Sequence, residues 1–246
     1  MQQAVPERPT IVAIAGFGDN AGMFTPLLTT HLAQSYRLVP LDLPGFGAPK
    51  MRGITTLAAL AEYVSDQARE QQADIVLAHS VASIIASLAA ARKDSRITTI
   101  LSIEGNLTPE DGYFSGLAAD YPTPAVFREA FLEKLDAMAR DELVIARYRD
   151  NVALADPDAL WELGNDSRAF SAKHMPGNVL ITSADIAYLY NPDNCPAASL
   201  AWLDKHPVRR HVLPGASHWP SVTQPDMLAD AIKAALEPDR SPEKAG

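Results

Sequence analysis

The sequence predicts an α/β fold: a mostly parallel central sheet with helices on both faces, broken by a helical insertion. Three observations carry that prediction. Short apolar runs alternate with helical segments through residues 1–106, and such alternation gives parallel strands joined by crossover helices. No strand pattern is found over residues 107–173, which carry apolar side chains at helical spacing instead. The alternation then resumes over residues 174–246. A chain of 246 residues, 47% hydrophobic and 21% charged, has ordinary globular proportions. That leaves room for a core of residues 1–106 and 174–246 with 107–173 as a cap inserted in it.

Each element has its own signal. Thr10 to Ala15 is a short apolar run read as a buried strand. A glycine-rich loop, Gly16 to Gly22, leads into an amphipathic segment from Met23 to Ser35. Tyr36 to Leu41 is a second strand, ending in Asp42-Leu43-Pro44-Gly45-Phe46-Gly47. Leu57, Leu60, Ala61 and Val64 share one helical face. Ile75 to His79 is a strand, Ala82 onward a buried helix, and Arg96 to Ile103 the next strand. Within the insertion, Val126, Phe127, Ala130, Phe131, Leu135 and Met138 mark one helix. Further helices are expected over residues 142–152 and 157–163. The sheet is expected to resume at Asn178 to Thr182 and again at Val208 to Leu213, with helices near Ala198 to Lys205 and Met227 to Leu236.

The net charge of −9 and the lack of a basic patch argue against nucleic acid and anionic membranes as partners. No apolar run is long enough to span a bilayer. The chain starts without a charged-then-apolar leader pattern. Its single cysteine, Cys195, excludes an internal disulfide framework. A reducing, cytoplasmic setting is therefore the expectation. Neither H-E-x-x-H nor C-x-x-C spacing occurs, so no metal is expected, and no cofactor is assigned. Oligomeric state is left open, a homodimer included.

The stretch around which the chain is organised is Ala78-His79-Ser80-Val81-Ala82. A strand that turns sharply into a helix at a serine, with small residues two before and two after, exposes the hydroxyl. A larger flank would collide where the backbone folds back on itself. As an ordinary strand-to-helix junction, Ser80 would only cap the helix. The order Ser80, then an acid at Glu104 or Asp185, then His218 decides between these readings. Ser, Asp/Glu, His is the chain order of α/β-hydrolases. The chain resembles this superfamily over nearly its whole length. The resemblance is carried by Ala15-Gly16-Phe17-Gly18, Asp42 to Gly47, Ala78 to Ala82 and Gly215-Ala216-Ser217-His218-Trp219-Pro220. It implies an α/β-hydrolase fold with a helical cap, and leaves the substrate open.

Ser80 needs an adjacent base, and His218, in the loop after the last strand, is that base. His79 is expected to point away into packing, and His31, His174, His206 and His211 are read as surface groups. The acid must hold the imidazole in its working tautomer. Glu104 ends an earlier strand, and the resemblance includes members that carry the acid there. Asp185 follows the expected 178–182 strand, where many members carry it. Glu104 is the first choice and Asp185 the second. The resemblance gives the oxyanion hole to the amides of Phe17 and Val81, with Ala15 standing where histidine is usual. Gly16, Gly18, Trp219, Tyr113 and Phe114 are expected against the substrate, with Met23 and Tyr121 either lining the pocket or in the core.

The expected function is a serine hydrolase acting on a small ester, thioester or related carbonyl compound through an acyl-enzyme on Ser80. Three alternatives stand beside it. One is a lyase or cofactor-free oxygenase of the same fold. Another is a non-catalytic small-molecule binder. The last is an NAD(P)-binding oxidoreductase, since Gly16-Phe17-Gly18-Asp19-Asn20-Ala21 matches G-x-G-x-x-G/A after a strand.

Overall fold

The computed structural model describes residues 8–140 and 142–237. In chain order the elements are β1 (Thr10–Ile14), α1 (Leu32–Ser35), β2 (Arg37–Leu41), β3 (Leu43–Pro44), β4 (Gly47–Ala48), α2 (Leu57–Glu70), β5 (Ile75–His79), α3 (Ala82–Ala90) and β6 (Thr99–Ile103). Then come α4 (Pro124–Met138), α5 (Leu143–Leu154), α6 (Pro157–Lys173), α7 (Pro176–Ser183), β7 (Asp185–Tyr190), α8 (Ala197–Lys205), β8 (Arg209–Val212), α9 (Pro220–Thr223) and α10 (Pro225–Leu236). Short 3-10 turns fill the loops, two of them where an amphipathic helix was expected after Met23.

Six strands form one sheet in the order β2-β1-β5-β6-β7-β8, and every pair is parallel. The four inner strands are short apolar runs. β1 is buried along its whole length, as strands covered on both faces must be. The edges are marked chemically. β2 carries Pro40, which lacks an amide proton for a second neighbour, and β8 reads Arg-Arg-His-Val and is largely exposed. Helix α2 shows why a helix forms here. Thr56 caps it by accepting the Ala59 amide at 3.1 Å, worth about 1 kcal/mol. Leu57, Leu60, Ala61, Val64 and Ala68 form one buried stripe.

The chain runs from β1 outward to β2, then returns past β1 to β5. The direction of winding therefore reverses between β1 and β5. In open parallel sheets, ligands bind beyond the carboxyl ends of the strands at such a reversal. The loop after β1 and the turn after β5 meet there.

One expected strand is a helix. Residues 178–182 lie in α7, and the strand is the next run, Asp185–Tyr190. Pro176 occupies the first turn of α7, where its missing amide proton costs nothing. A five-residue apolar run has no periodicity long enough to distinguish helix from buried strand. Helix α6 also runs ten residues past its expected end, to Lys173. No helix among the described residues is long and apolar enough to cross a membrane.

Candidate active site

Ser80 stands between β5 and α3 with φ of +54°. A non-glycine residue in this region is strained by about 1 kcal/mol or more and persists only where its surroundings impose it. They do so here. Ser80 donates its amide to Ile103 O at 2.9 Å. Ala78 and Ala82 are both fully buried, so neither flank has room for a larger side chain. Gly16 closes the other side: a Cβ on it would lie 2.9 Å from His79 Nδ1 and 3.0 Å from Ser80 Cβ. The loop after β1 therefore presses directly on the turn. Neither the Phe17 nor the Val81 amide donates to a protein acceptor among the described residues.

Glu104 ends β6, next but one to β1 in the sheet, and also has a positive φ, +41°. Glu104 is 5% exposed and both of its carboxylate oxygens are bonded. Oε2 accepts from His218 Nδ1 at 2.6 Å. Oε1 accepts the Asn191 amide at 3.0 Å and Asn194 Nδ2 at 2.8 Å. The two asparagines also bond Ala216 O, at 2.8 and 2.9 Å. They tie the carboxylate and the His218 loop into one unit. With Nδ1–H turned to the carboxylate, Nε2 of His218 is left as the basic nitrogen.

His79 corrects the expectation that it points away. Its Nε2–H donates to the His218 carbonyl oxygen at 2.8 Å, and the two rings lie 4.6 Å apart. Burial, followed by the neighbouring His218 charge, pushes its pKa well below 6.5, so it is neutral. The unfolded chain then binds a proton on acidification that the folded chain refuses. His79 thus contributes stability in full above about pH 6.5. That contribution falls as pH drops below this value, by up to about 1.4 kcal/mol per pH unit. His79→Gln keeps an N–H donor and cannot titrate. Its urea midpoint is expected to fall less than that of the wild type between about pH 7.5 and about pH 5.5.

Asp185 is not part of this constellation. It opens β7, in register with Thr99 at the start of β6, and its carboxylate meets Arg209 at 2.6 Å on the exposed surface. A strand of this length spans roughly 16 Å, and Ser80 and Glu104 lie beyond the far ends of β5 and β6. With residues 178–182 in the sheet, Asp185 would follow a strand's carboxyl end; those residues are helical, and Asp185 instead opens β7 at the opposite end.

Ser80, His218, Gly16, Phe17, Tyr113, Phe114 and Trp219 all line one chamber of about 20 Å³, room for one water molecule. Gly18 does not reach it. That residue borders an open outer groove, its Cα facing Val152 of α5. Met23 is core, and Tyr121 packs on Phe127. The Ser80 hydroxyl makes no hydrogen bond to His218. Three groups on the chamber wall were not singled out from sequence. Asp19, 2% exposed, is gripped by both terminal nitrogens of Arg147 and by Asn151. Tyr148 donates to Phe17 O at 2.6 Å, so α5 holds the loop after β1 twice. Asp111 caps the turn after Thr108, and Thr108-Pro109-Glu110-Asp111 is a legible capping-box pattern. The dinucleotide reading fails on geometry. Its glycine loop runs into a four-residue 3-10 turn, not the long helix whose N-terminus would hold a pyrophosphate. Among the described residues no cluster of three or more His, Cys, Asp or Glu side chains is placed to hold a metal ion.

Comparisons with known proteins extend this picture. The structure is similar to 1H-3-hydroxy-4-oxoquinoline 2,4-dioxygenase, with a TM-score of 0.75, 17% identity, and 95% of this chain and 94% of that one covered. It is also similar to a thermophilic esterase from Thermogutta terrifontis, with a TM-score of 0.71, 17% identity, and 93% and 89% covered. Among curated proteins it is 30% identical over 96 residues to a pimeloyl-(acyl-carrier protein) methyl ester esterase from Yersinia enterocolitica. That match spans 39% of this chain and 36%, about a third, of the relative. A family profile described as alpha/beta hydrolase matches residues 11–231, nearly the whole described chain, and the chain belongs to the alpha/beta hydrolase family.

Proposed function

We propose that the protein is a serine hydrolase of small esters, thioesters or related carbonyl compounds, with Ser80, His218 and Glu104 as its triad. The observation that carries this reading is the 2.6 Å bond from His218 Nδ1 to a buried Glu104, beside a strained Ser80 in one chamber. Ser80 Oγ attacks the carbonyl carbon and His218 Nε2 takes its proton. The oxyanion is held by the free amides of Phe17 and Val81. His218 returns the proton to the departing alcohol or thiol, which leaves an acyl group on Ser80. Water, deprotonated by the same nitrogen, then releases the acid. Glu104 holds the imidazole in its working orientation and stabilises the imidazolium.

In this reading residues 107–173 act as a cap. Tyr113, Phe114 and Tyr148 close the chamber to about one water's volume, so substrate entry requires the cap to shift. The esterase activity in the name of the Yersinia enterocolitica relative belongs to the same carbonyl class. The test is a panel of p-nitrophenyl esters and acyl-thioesters, run beside labelling with a fluorophosphonate. Turnover and a label on Ser80 are expected. A well-folded protein that takes no label and turns over no ester overturns the reading.

A second reading is favoured by one observation: the His218–Glu104 pair is formed while the Ser80 hydroxyl makes no hydrogen bond to His218. A base dyad of that kind can remove a proton directly from an acidic substrate, as a lyase or cofactor-free oxygenase requires. Activity that survives loss of the Ser80 hydroxyl would select this reading.

A further inference from the structure

Asp111 sits on the wall of the chamber and of a void of about 10 Å³ behind it, which it shares with Glu104 and His218. Its two carboxylate oxygens are treated very differently. All of its hydrogen bonds go to Oδ2: the Leu107 amide at 2.9 Å, the Thr108 amide at 2.8 Å and the Ser199 hydroxyl at 2.6 Å, with the Thr108 hydroxyl at 3.3 Å. Oδ1 receives none of them. Nor is it among the polar atoms sealed from contact, and the outer groove on the far side of Tyr113 does not touch Asp111. Asp111 lines both the chamber and the void behind it, and Oδ1 is the carboxylate oxygen that no protein group claims there.

A carboxylate oxygen left free beside a base and a nucleophile is costly unless something donates to it. No hydrogen bond among the described residues reaches Oδ1. Arg147 is committed to Asp19, another group on the wall. A second wall group is also without a partner: the Trp219 Nε1–H is buried and bonds nothing. The chamber is thus not a plain apolar slot.

We propose that Asp111 is a specificity-determining residue whose free Oδ1 accepts a hydrogen bond from the substrate. The preferred substrate is then a carbonyl compound bearing a hydroxyl or N–H group close to the scissile bond. This deepens the hydrolase reading and rests on it for the identity of that bond. The donor stands on either the acyl or the alcohol half, since Asp111 flanks the imidazole that serves both.

The test uses two matched ligand pairs, a β-hydroxy ester against its β-methyl isostere and a glycol monoester against its propyl isostere. Dissociation constants are read by calorimetry on Ser80→Ala protein, so binding is measured without turnover. One pair is expected to favour the hydroxyl about tenfold to a hundredfold, and which pair does so locates the donor. Capping that hydroxyl as a methyl ether, which keeps the oxygen but removes the proton, is expected to abolish the preference. In Asp111→Asn the amide oxygen must stay at Oδ2, where four hydrogen bonds converge, so an NH₂ replaces Oδ1. The preference is expected to vanish or invert. Equal affinity within both pairs overturns the proposal, as does a preference that survives methylation or Asp111→Asn. The methyl ether comparison is decisive even where the Asn variant does not fold. Failure of the hydrolase reading is seen separately, as an enzyme that takes no fluorophosphonate label.

Discussion

Ser80→Ala is expected to lower kcat for the best ester of the panel by roughly four to six orders of magnitude. The loss is large because His218 and Glu104 have no other nucleophile to serve: every further side chain on the wall is an acid, an aromatic, a histidine or a bonded hydroxyl, and Gly16 has none. Residual hydrolysis would come from the Phe17 and Val81 amides acting on a water activated by His218. The fold should not change, since alanine keeps the Cβ and leaves the Ser80 amide bonded to Ile103 O. Ser80→Gly offers an internal control. It is equally inactive, yet it removes the Cβ that makes φ of +54° unfavourable, and its unfolding free energy should rise by about 1 kcal/mol. Activity within tenfold of wild type in Ser80→Ala would remove the acyl-enzyme and leave the dyad chemistry.

The parts of this site that were legible in the sequence are those whose signal is local. Ala78-His79-Ser80-Val81-Ala82 announces a turn that needs small flanks, and both flanks are indeed sealed in the core. The first four sheet strands were readable because turn or loop residues bound each apolar run. The fifth was not. Val179-Leu180-Ile181 and Ile186-Ala187-Tyr188-Leu189-Tyr190 are both short apolar runs, and only the packing of α7 on α3 decides which is helical. Pro176 was the one local hint. His79 was misjudged for a related reason. Strand alternation turns its side chain away from Ser80, but not away from His218, whose loop arrives from 139 residues further along the chain. Asp111 gave a capping signal and no more. Nothing local reveals that one of its oxygens is saturated and the other bare.

The choice of acid yields the second large effect. Glu104→Gln is expected to lower kcat by about a thousand- to ten-thousand-fold, while Asp185→Asn leaves it unchanged. Glutamine has one acceptor where glutamate has two. Asn191 N–H and Asn194 Nδ2 both point donors at Oε1, so the amide oxygen must stay there. The NH₂ is then forced onto the Oε2 position, 2.6 Å from His218 Nδ1. Two donors cannot share that contact, and the imidazole must move its proton to Nε2 to make Nδ1 an acceptor. Nε2 then faces Ser80 with a proton it cannot exchange for the serine's, so the base is absent although each side chain is in place. The signature is a kcat loss with little change in KM, because the chamber walls are untouched. Asp185 instead meets Arg209 at the opposite end of the sheet, where both side chains are about half exposed. Breaking that pair changes stability by no more than about 1 kcal/mol. A fall in kcat in Asp185→Asn comparable to that in Glu104→Gln would mean that the coupling reaches His218 through the length of β7, which no bond between these residues supports.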